Sequence, residues 1–367
     1  MTRVFAWGLG AEGQLGLGAA HTDNQLVPVR VKSSILSRRA RLAVAGGHCS
    51  AIVFDDGAVA AWGNNQSGRL GIAGDSRIDT PTIVPGLENI VQLSLGENHG
   101  VALDGDGGVW TWGASKCLGV DPPRAASTPA LLLLPGRATA VSAGHKRTLV
   151  VLEDGRLLAF GGLTADSRTP TPVSGLEDVQ IVAAAAGYVH DCAVSAEGRL
   201  YTWGGVNKDG ELGRVARTPA SRNTATAVPD FGHVVAARPS CGSHHAHTLA
   251  LTSEGLVFAF GSDYKGKLGH GQDRDMPNRP TPVAGLSGQH VVEIVSGGIH
   301  AAVRTEDGRV WTFGCGSDGR LGHPEAKGHR YLFKETVPRV VDGLPGRTIS
   351  LASAYYHMLA VVDTECH

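Results

Sequence analysis

The sequence predicts an all-β fold, a seven-bladed β-propeller of four-stranded blades in which the N-terminal strand completes the last blade. Three observations carry this. An aromatic-glycine pair recurs seven times along 367 residues, at Trp7-Gly8, Trp62-Gly63, Trp112-Gly113, Phe160-Gly161, Trp203-Gly204, Phe260-Gly261 and Phe313-Gly314, in steps of 43 to 57 residues. A glycine stands five residues before each of the last six aromatics, at Gly57, Gly107, Gly155, Gly198, Gly255 and Gly308, and each follows an acid (Asp56, Asp106, Asp154, Glu197, Glu254, Asp307). Glycine accounts for 51 residues, near twice the usual ~7%, without the third-residue period of collagen. Acid-glycine pairs supply the positive φ of tight hairpins, so this composition reads as many short strands joined by turns.

Each unit runs in one order. An apolar stretch such as Ile90-Val91-Gln92-Leu93 passes through a glycine turn into a second strand, Val101-Ala102-Leu103. The acid-glycine turn follows, then a third strand, Val109-Trp110-Thr111-Trp112. A glycine-rich loop ending in Leu-Gly leads to a Thr/Pro segment and a last short strand, as at Thr80-Pro81, Thr169-Pro170-Thr171-Pro172-Val173 and Pro280-Thr281-Pro282-Val283. Proline suits an outer edge strand, where one N–H side faces solvent. Four strands in ~50 residues, seven times over, is the propeller pattern. The chain starts in mid-unit at Val4–Trp7 and ends in mid-unit with Ile349-Ser350-Leu351 and Met358-Leu359-Ala360-Val361-Val362. The fragments are complementary, so their pairing is expected to close the ring and remove open edges. No linker-like stretch divides the sequence, which predicts one domain over residues 1–367.

Composition narrows the function classes. Charged residues are 18%, hydrophobic ones 42%, and the net charge is −1, which argues against a disordered chain, an acidic tail or a strongly basic nucleic-acid arm. The cysteines Cys49, Cys117, Cys192, Cys241, Cys315 and Cys366 are scattered without a C-x-x-C pair and read as reduced thiols. The first residues already look like strand rather than signal peptide, and the longest apolar run, Ala130–Leu134, stops at Pro135. A membrane span needs ~20 residues. The expectation is a cytoplasmic or nuclear protein, not secreted and not inserted in a membrane.

Further elements make a specific pattern. Gly96-Glu97-Asn98-His99, Gly187-Tyr188-Val189-His190 and Gly297-Gly298-Ile299-His300 are Gly-x-x-His elements, and His99, His190, His247 and His300 each lie 13 residues before the aromatic of their unit, with His357 in the same place at the end. Gly13-Gln14-Leu15-Gly16, Gly68-Arg69-Leu70-Gly71, Gly266-Lys267-Leu268-Gly269 and Gly319-Arg320-Leu321-Gly322 form the loop ends. This set resembles the regulator of chromosome condensation family of seven-bladed propellers over essentially the whole chain. The departures are local. Cys49 and Arg147 stand at the histidine position, with His48 and His145 displaced; the Trp112 unit shortens its loop to Ala114–Gly119; the Phe160 unit loses Leu-Gly altogether.

Several apparent sites have architectural readings. Gly8-Leu9-Gly10-Ala11-Glu12-Gly13 and Gly314-Cys315-Gly316-Ser317-Asp318-Gly319 match G-x-G-x-x-G but run into Leu-Gly, with none of the helix a dinucleotide site needs. Metal ligands must converge within ~2 Å of the ion. The recurring histidines instead sit at equivalent places in different blades and are expected to hydrogen-bond beside the turns of their own blades. His244-His245-Ala246-His247 reads as an insertion before a repeat histidine. The repeat aromatics Trp7, Trp62, Trp112, Phe160, Trp203, Phe260 and Phe313 read as blade packing. Plant ultraviolet photoreceptors of the resembled family carry tryptophans inside Gly-x-x-His, where this chain has Glu97-Asn98, Tyr188-Val189, Gly298-Ile299 and Tyr355-Tyr356. Asn65-Gln66-Ser67 reads as a loop. No catalytic, cofactor-binding or metal residue is assigned.

Three basic segments are candidate partner contacts: Arg38, Arg39 and Arg41; Arg214 and Arg217; and an insertion with Lys327, His329, Arg330, Tyr331, Phe333 and Lys334. Basic and aromatic side chains on a surface loop are favoured at contact sites. The leading functional expectation is a non-catalytic, monomeric scaffold that binds protein partners through propeller-face loops. The resemblance implies an alternative, guanine nucleotide exchange on a small Ran-like GTPase, which in the founding member uses a β-wedge; no such extra hairpin is visible here. A second alternative is a chromatin-associated propeller, for which the sequence lacks a basic tail, so neither nucleic acid nor a nucleosome is the expected partner.

Overall fold

The computed structural model describes residues 1–120, 126–162, 168–229, 231–271, 278–327 and 332–365. It contains seven sheets of four antiparallel strands. Blade 1 comprises Ala40–Gly46, Cys49–Phe54, Val59–Asn64 and Arg77–Ile83, and the same meander restarts at Ile90, Ala138, Ile181, Val234 and Val291 for blades 2 to 6. Blade 7 takes its two inner strands, Arg347–Ser353 and His357–Asp363, from the end of the chain and its two outer strands, Thr2–Gly8 and Gln25–Arg30, from the beginning. The N-terminal segment therefore supplies two strands to the closing blade rather than one. Thr2 lies opposite Asp363 and Gly8 opposite His357.

Local chemistry explains the blade. At the acid-glycine hairpins the acid caps the turn: Asp56 Oδ1 accepts from the Ala58 N–H at 3.1 Å, while Gly57 takes φ +78°, a region costly for a residue with a Cβ. The second strand of each blade is buried on both faces, as in Cys49–Phe54 and His247–Thr252. The apolar core lies between blades. One cluster joins Ala51, Val53, Ala61 and Leu70 of blade 1 to Leu93, Ala102 and Trp112 of blade 2.

The innermost strands are sheet edges facing the axis, and their N–H groups need partners. Side chains of the preceding blade supply them. Gln92 Oε1 accepts from Val141 N–H (2.9 Å), Ser94 Oγ from Ala143 (2.9 Å), Ser142 Oγ from Ala186 (3.0 Å), Glu293 Oε1 from Leu351 (3.3 Å) and Ser350 Oγ from Ala43 (3.0 Å). Antiparallel meanders put the Gly-x-x-His turns and the Leu-Gly loops at one end of the propeller, here the turn-loop face. The acid-glycine hairpins and the blade-to-blade connectors occupy the other end, the hairpin face. Among the described residues no helix is long and apolar enough to cross a membrane.

Candidate interaction face

The repeat histidines correct the expectation that they bond within their own blades: each reaches the next blade. His99 Nε2 meets Thr148 Oγ1 at 3.0 Å, His190 meets Thr248 at 2.7 Å, His247 meets Ser296 Oγ at 3.0 Å, His300 meets Ser353 at 2.9 Å and His357 meets Ser50 at 2.8 Å. Three of these hydroxyls donate elsewhere, Thr148 to the Cys117 carbonyl, Thr248 to Glu211 and Ser50 to Gln14. In those pairs the histidine must donate from Nε2, which fixes the tautomer. All five rings are fully buried, and their Nδ1 atoms have no partner. Burial pushes His99 down to about 4 and His190 and His357 to about 3; His247 and His300 are also held well below 6.5. The glycine of Gly-x-x-His makes room for the ring: a Cβ on Gly96 would stand 2.6 Å from His99 Cε1.

Where histidine is missing, the seam changes chemistry. Arg147 of blade 3 forms an ion pair with Asp191 of blade 4, and Asp191 is buried. The carboxylate raises the pKa of Arg147, while burial raises that of Asp191. Cys49 of blade 1 packs in an apolar cluster with Leu95 and Ala102 of blade 2, and burial lifts its thiol to about 12. The cysteines within the described residues are free.

The Leu-Gly loops form a second interlock. Each lies against the repeat aromatic of the following blade. Trp62 Nε1 donates to the Gln14 carbonyl (2.9 Å), Trp112 to Arg69 (2.9 Å) and Trp7 to Arg320 (3.1 Å). Gly119, Gly213 and Gly269 lie against Phe160, Phe260 and Phe313. Leu15, Leu70, Leu118, Leu212, Leu268 and Leu321 are buried by this packing. Lys267 is also buried there, which lowers its ammonium pKa to about 7.

The residues between glycine and histidine project at the turn-loop face, around the mouth of an axial channel of about 320 Å³ lined by every inner strand. His145 stacks on Tyr188 (centroids 3.8 Å apart), and its Nδ1 lies 4.0 Å from Glu97, whose carboxyl it holds below the ordinary range. Tyr355 meets Tyr356 at 4.3 Å, Arg320 lies 4.8 Å over Tyr356, and His48 stacks on Tyr356 at 5.9 Å. This aromatic and ionisable patch brings together blades 1, 2, 3, 4, 6 and 7. The sequence signal for it is the x-x pair of Gly-x-x-His, which the basic-loop argument passed over.

The three predicted contact segments do not converge. Arg38, Arg39 and Arg41 occupy the hairpin face, where Arg38 pairs with Asp56, Arg39 with Asp55 (3.3 Å), and Arg41 donates to the Ile90 carbonyl (3.0 Å). Arg214 departs from the surface-loop expectation. It is 7% exposed and donates to the carbonyls of Ser221 (2.9 Å) and Thr202 (2.8 Å), tying the blade 4 loop to its sheet. Arg217 is exposed on that loop, before a five-residue helix, Pro219–Asn223, capped by Thr218. In the blade 6 loop Lys327 is exposed, Phe333 is half-buried edge-on to His323 (6.4 Å), and Lys334 opens the outer strand. His329, Arg330 and Tyr331 lie outside the described residues. In the 244–247 insertion, His244 bonds Ser243 and His245 stacks on Tyr264 at 4.2 Å, while His247 points to Ser296.

This geometry defines a closed repeat propeller in which each blade locks the next. Sequence profiles of the regulator of chromosome condensation (RCC1) repeat match residues 3–53, 56–103, 254–303 and 307–361, more than half of the chain. The chain belongs to that family. It is 32% identical over 98% of its length to the human E3 ubiquitin-protein ligase HERC2, of which it spans about 6%. Human WBSCR16 superposes with a TM-score of 0.83 at 22% identity, covering all of both chains. Yeast Prp20p, described with its binding to Gsp1p and histones, also gives 0.83, at 20% identity over 98% of this chain and 91% of that one.

Proposed function

We propose that the chain is a non-catalytic protein-binding propeller that receives its partner on the turn-loop face. The observation that supports this is the patch of Glu97, His145, Tyr188, Tyr355, Tyr356 and Arg320 around the channel mouth. Aromatics and arginine held rigidly by their own scaffold are the side chains that carry most binding energy at protein interfaces. They lose little freedom when a partner docks. Arg217 and Lys327 lie on loops of the same face, and Lys334 opens an outer strand at that end. The similarity to a short stretch of HERC2 is consistent with a recognition module carried within larger assemblies.

A second reading, guanine nucleotide exchange on a small GTPase, follows from the family and from the fold shared with Prp20p. Exchange requires tighter binding to the nucleotide-free GTPase than to the loaded form. Affinity capture from extract, with and without EDTA, separates the two readings. A GTPase retained only under EDTA and released by GTP overturns the scaffold proposal. Non-GTPase partners retained under both conditions, and lost on Tyr355→Ala and Tyr356→Ala substitution, support it.

A further inference from the structure

The inner strands carry one device that blade 5 breaks. In blades 2 and 3 a serine near the end of the inner strand, Ser94 or Ser142, accepts a backbone N–H of the next blade. Ser94 lies opposite Val101 and Ser142 opposite Leu149. At the same register in blade 5, opposite Leu249, stands Arg238. A guanidinium accepts no hydrogen bond, so Arg238 cannot serve the next blade. It lines the axial channel, open to the solvent there, and donates to the Ala237 carbonyl at 3.0 Å. It has no ion pair among the described residues, and enclosure by the protein lowers its pKa. The channel walls, residues 40–47, 90–97, 138–145, 181–188, 234–241, 291–298 and 348–355, are described throughout. Further donors share the channel. The oxygens of Gln92, Ser94 and Ser142 are taken by N–H groups, while the Gln92 amide hydrogens and the two hydroxyl protons have no acceptor among the described residues. The channel's carboxylates are engaged: Glu293 by Arg304 (2.7 Å) and the Leu351 N–H, Glu97 by His145 (4.0 Å).

We propose that the channel receives the C-terminal carboxylate of a partner protein, which enters at the turn-loop mouth and pairs with Arg238. The planar guanidinium matches a carboxylate in two parallel hydrogen bonds, and chain termini are a recurring recognition target. Depth selects a terminus over an acidic side chain. Arg238 precedes the turn residue Cys241 by three residues, roughly 10 Å of strand. A loop carrying an acid to that level brings two chain segments through the mouth, whereas a terminus brings one. The volume of about 320 Å³ suits the last few residues of a single extended chain. Tyr188 and Tyr355, which line the same channel, flank the residues that precede the carboxylate. The inference rests on the turn-loop face being the contact surface and adds the chemical group that the face admits.

The test presents the whole, fluorescently labelled chain to an array of peptides tethered by their N-termini. A Gly-Ser linker ends in every combination of the last two residues, and each peptide is made both as the free acid and as the C-terminal amide. A subset of the acids is expected to retain the wild type at least about tenfold better than their amide twins, and Arg238→Gln should lose that preference, because it removes the charged partner. Arg238→Lys, which keeps the charge, should retain part of it. The acid-to-amide comparison is made on the wild type and does not depend on how the variants fold; their melting temperatures show that they do. The inference is overturned if no acid outperforms its amide, or if the preference survives in folded Arg238→Gln. Displacement of every retained peptide by millimolar inorganic phosphate overturns it too, since the channel is then a site for free oxyanions. These failures are distinct from failure of the proposed face: partners captured from extract that are lost on Tyr355→Ala and Tyr356→Ala but kept by Arg238→Gln uphold the face and sink the channel inference.

Discussion

Acid should unfold this propeller through its inter-blade histidines before its carboxylates protonate. The five latch rings are buried and neutral, with His99 at about 4, His190 and His357 at about 3, and His247 and His300 well below 6.5. In the unfolded chain each takes up a proton near pH 6.5. Between the native values and 6.5 the unfolded state therefore binds more protons. Stability rises with pH through that window and falls as pH drops below 6.5. Going from about pH 7 to about pH 5.5 costs about 1.2 kcal/mol per histidine, hence about 6 kcal/mol for five. A whole domain is typically stable by only ~5–15 kcal/mol. His323, lowered by burial to about 4, and Lys267, lowered to about 7, act in the same direction. The assay is urea unfolding at several pH values across this range, for the wild type and for His357→Gln, which removes one titrating ring. The wild type is expected to lose several kcal/mol, and the slope for the variant should fall by one proton. A change below ~1 kcal/mol, or native imidazole NMR signals titrating near 6.5, would refute the reasoning.

Other outcomes follow from the seams. Arg147→Ala leaves Asp191 buried without its partner and should cost about 2–4 kcal/mol, below the full buried-pair range because the guanidinium is partly solvated; the double change Arg147→His with Asp191→Thr, which writes the histidine latch into this seam, should recover most of that loss in the same denaturation assay. Gly297→Ala drives a methyl into the His300 ring and should destabilise by about 1–3 kcal/mol, read as a lower Tm. Trp62→Phe should cost only about 0.5–1.5 kcal/mol, because Ser50 still donates to the Gln14 carbonyl, whereas Trp62→Ala should cost about 3–5 kcal/mol; equal losses would show that packing against the Leu-Gly loop is not what the ring contributes.

Much of the architecture was legible because turn chemistry is local. An acid-glycine pair specifies its hairpin wherever it occurs, and seven aromatics at regular spacing count the blades. The same locality misled the reading of the histidines. His99 and Thr148 are 49 residues apart, and His357 and Ser50 are 307 apart, so no window of sequence pairs them. Arg214 looked like a loop cation, but the long blade 4 loop folds back and turns its guanidinium onto carbonyls at the sheet.

By itself, then, the sequence determined the number of blades, the order of strands within each and the complementarity of the two ends, because hydrogen bonding in a meander joins neighbours along the chain. Only the tertiary structure decided which histidine meets which hydroxyl, which aromatic each Leu-Gly loop covers, and which side chains gather at the channel mouth. Those contacts cross from one blade to the next, and their geometry exists only once the ring has closed.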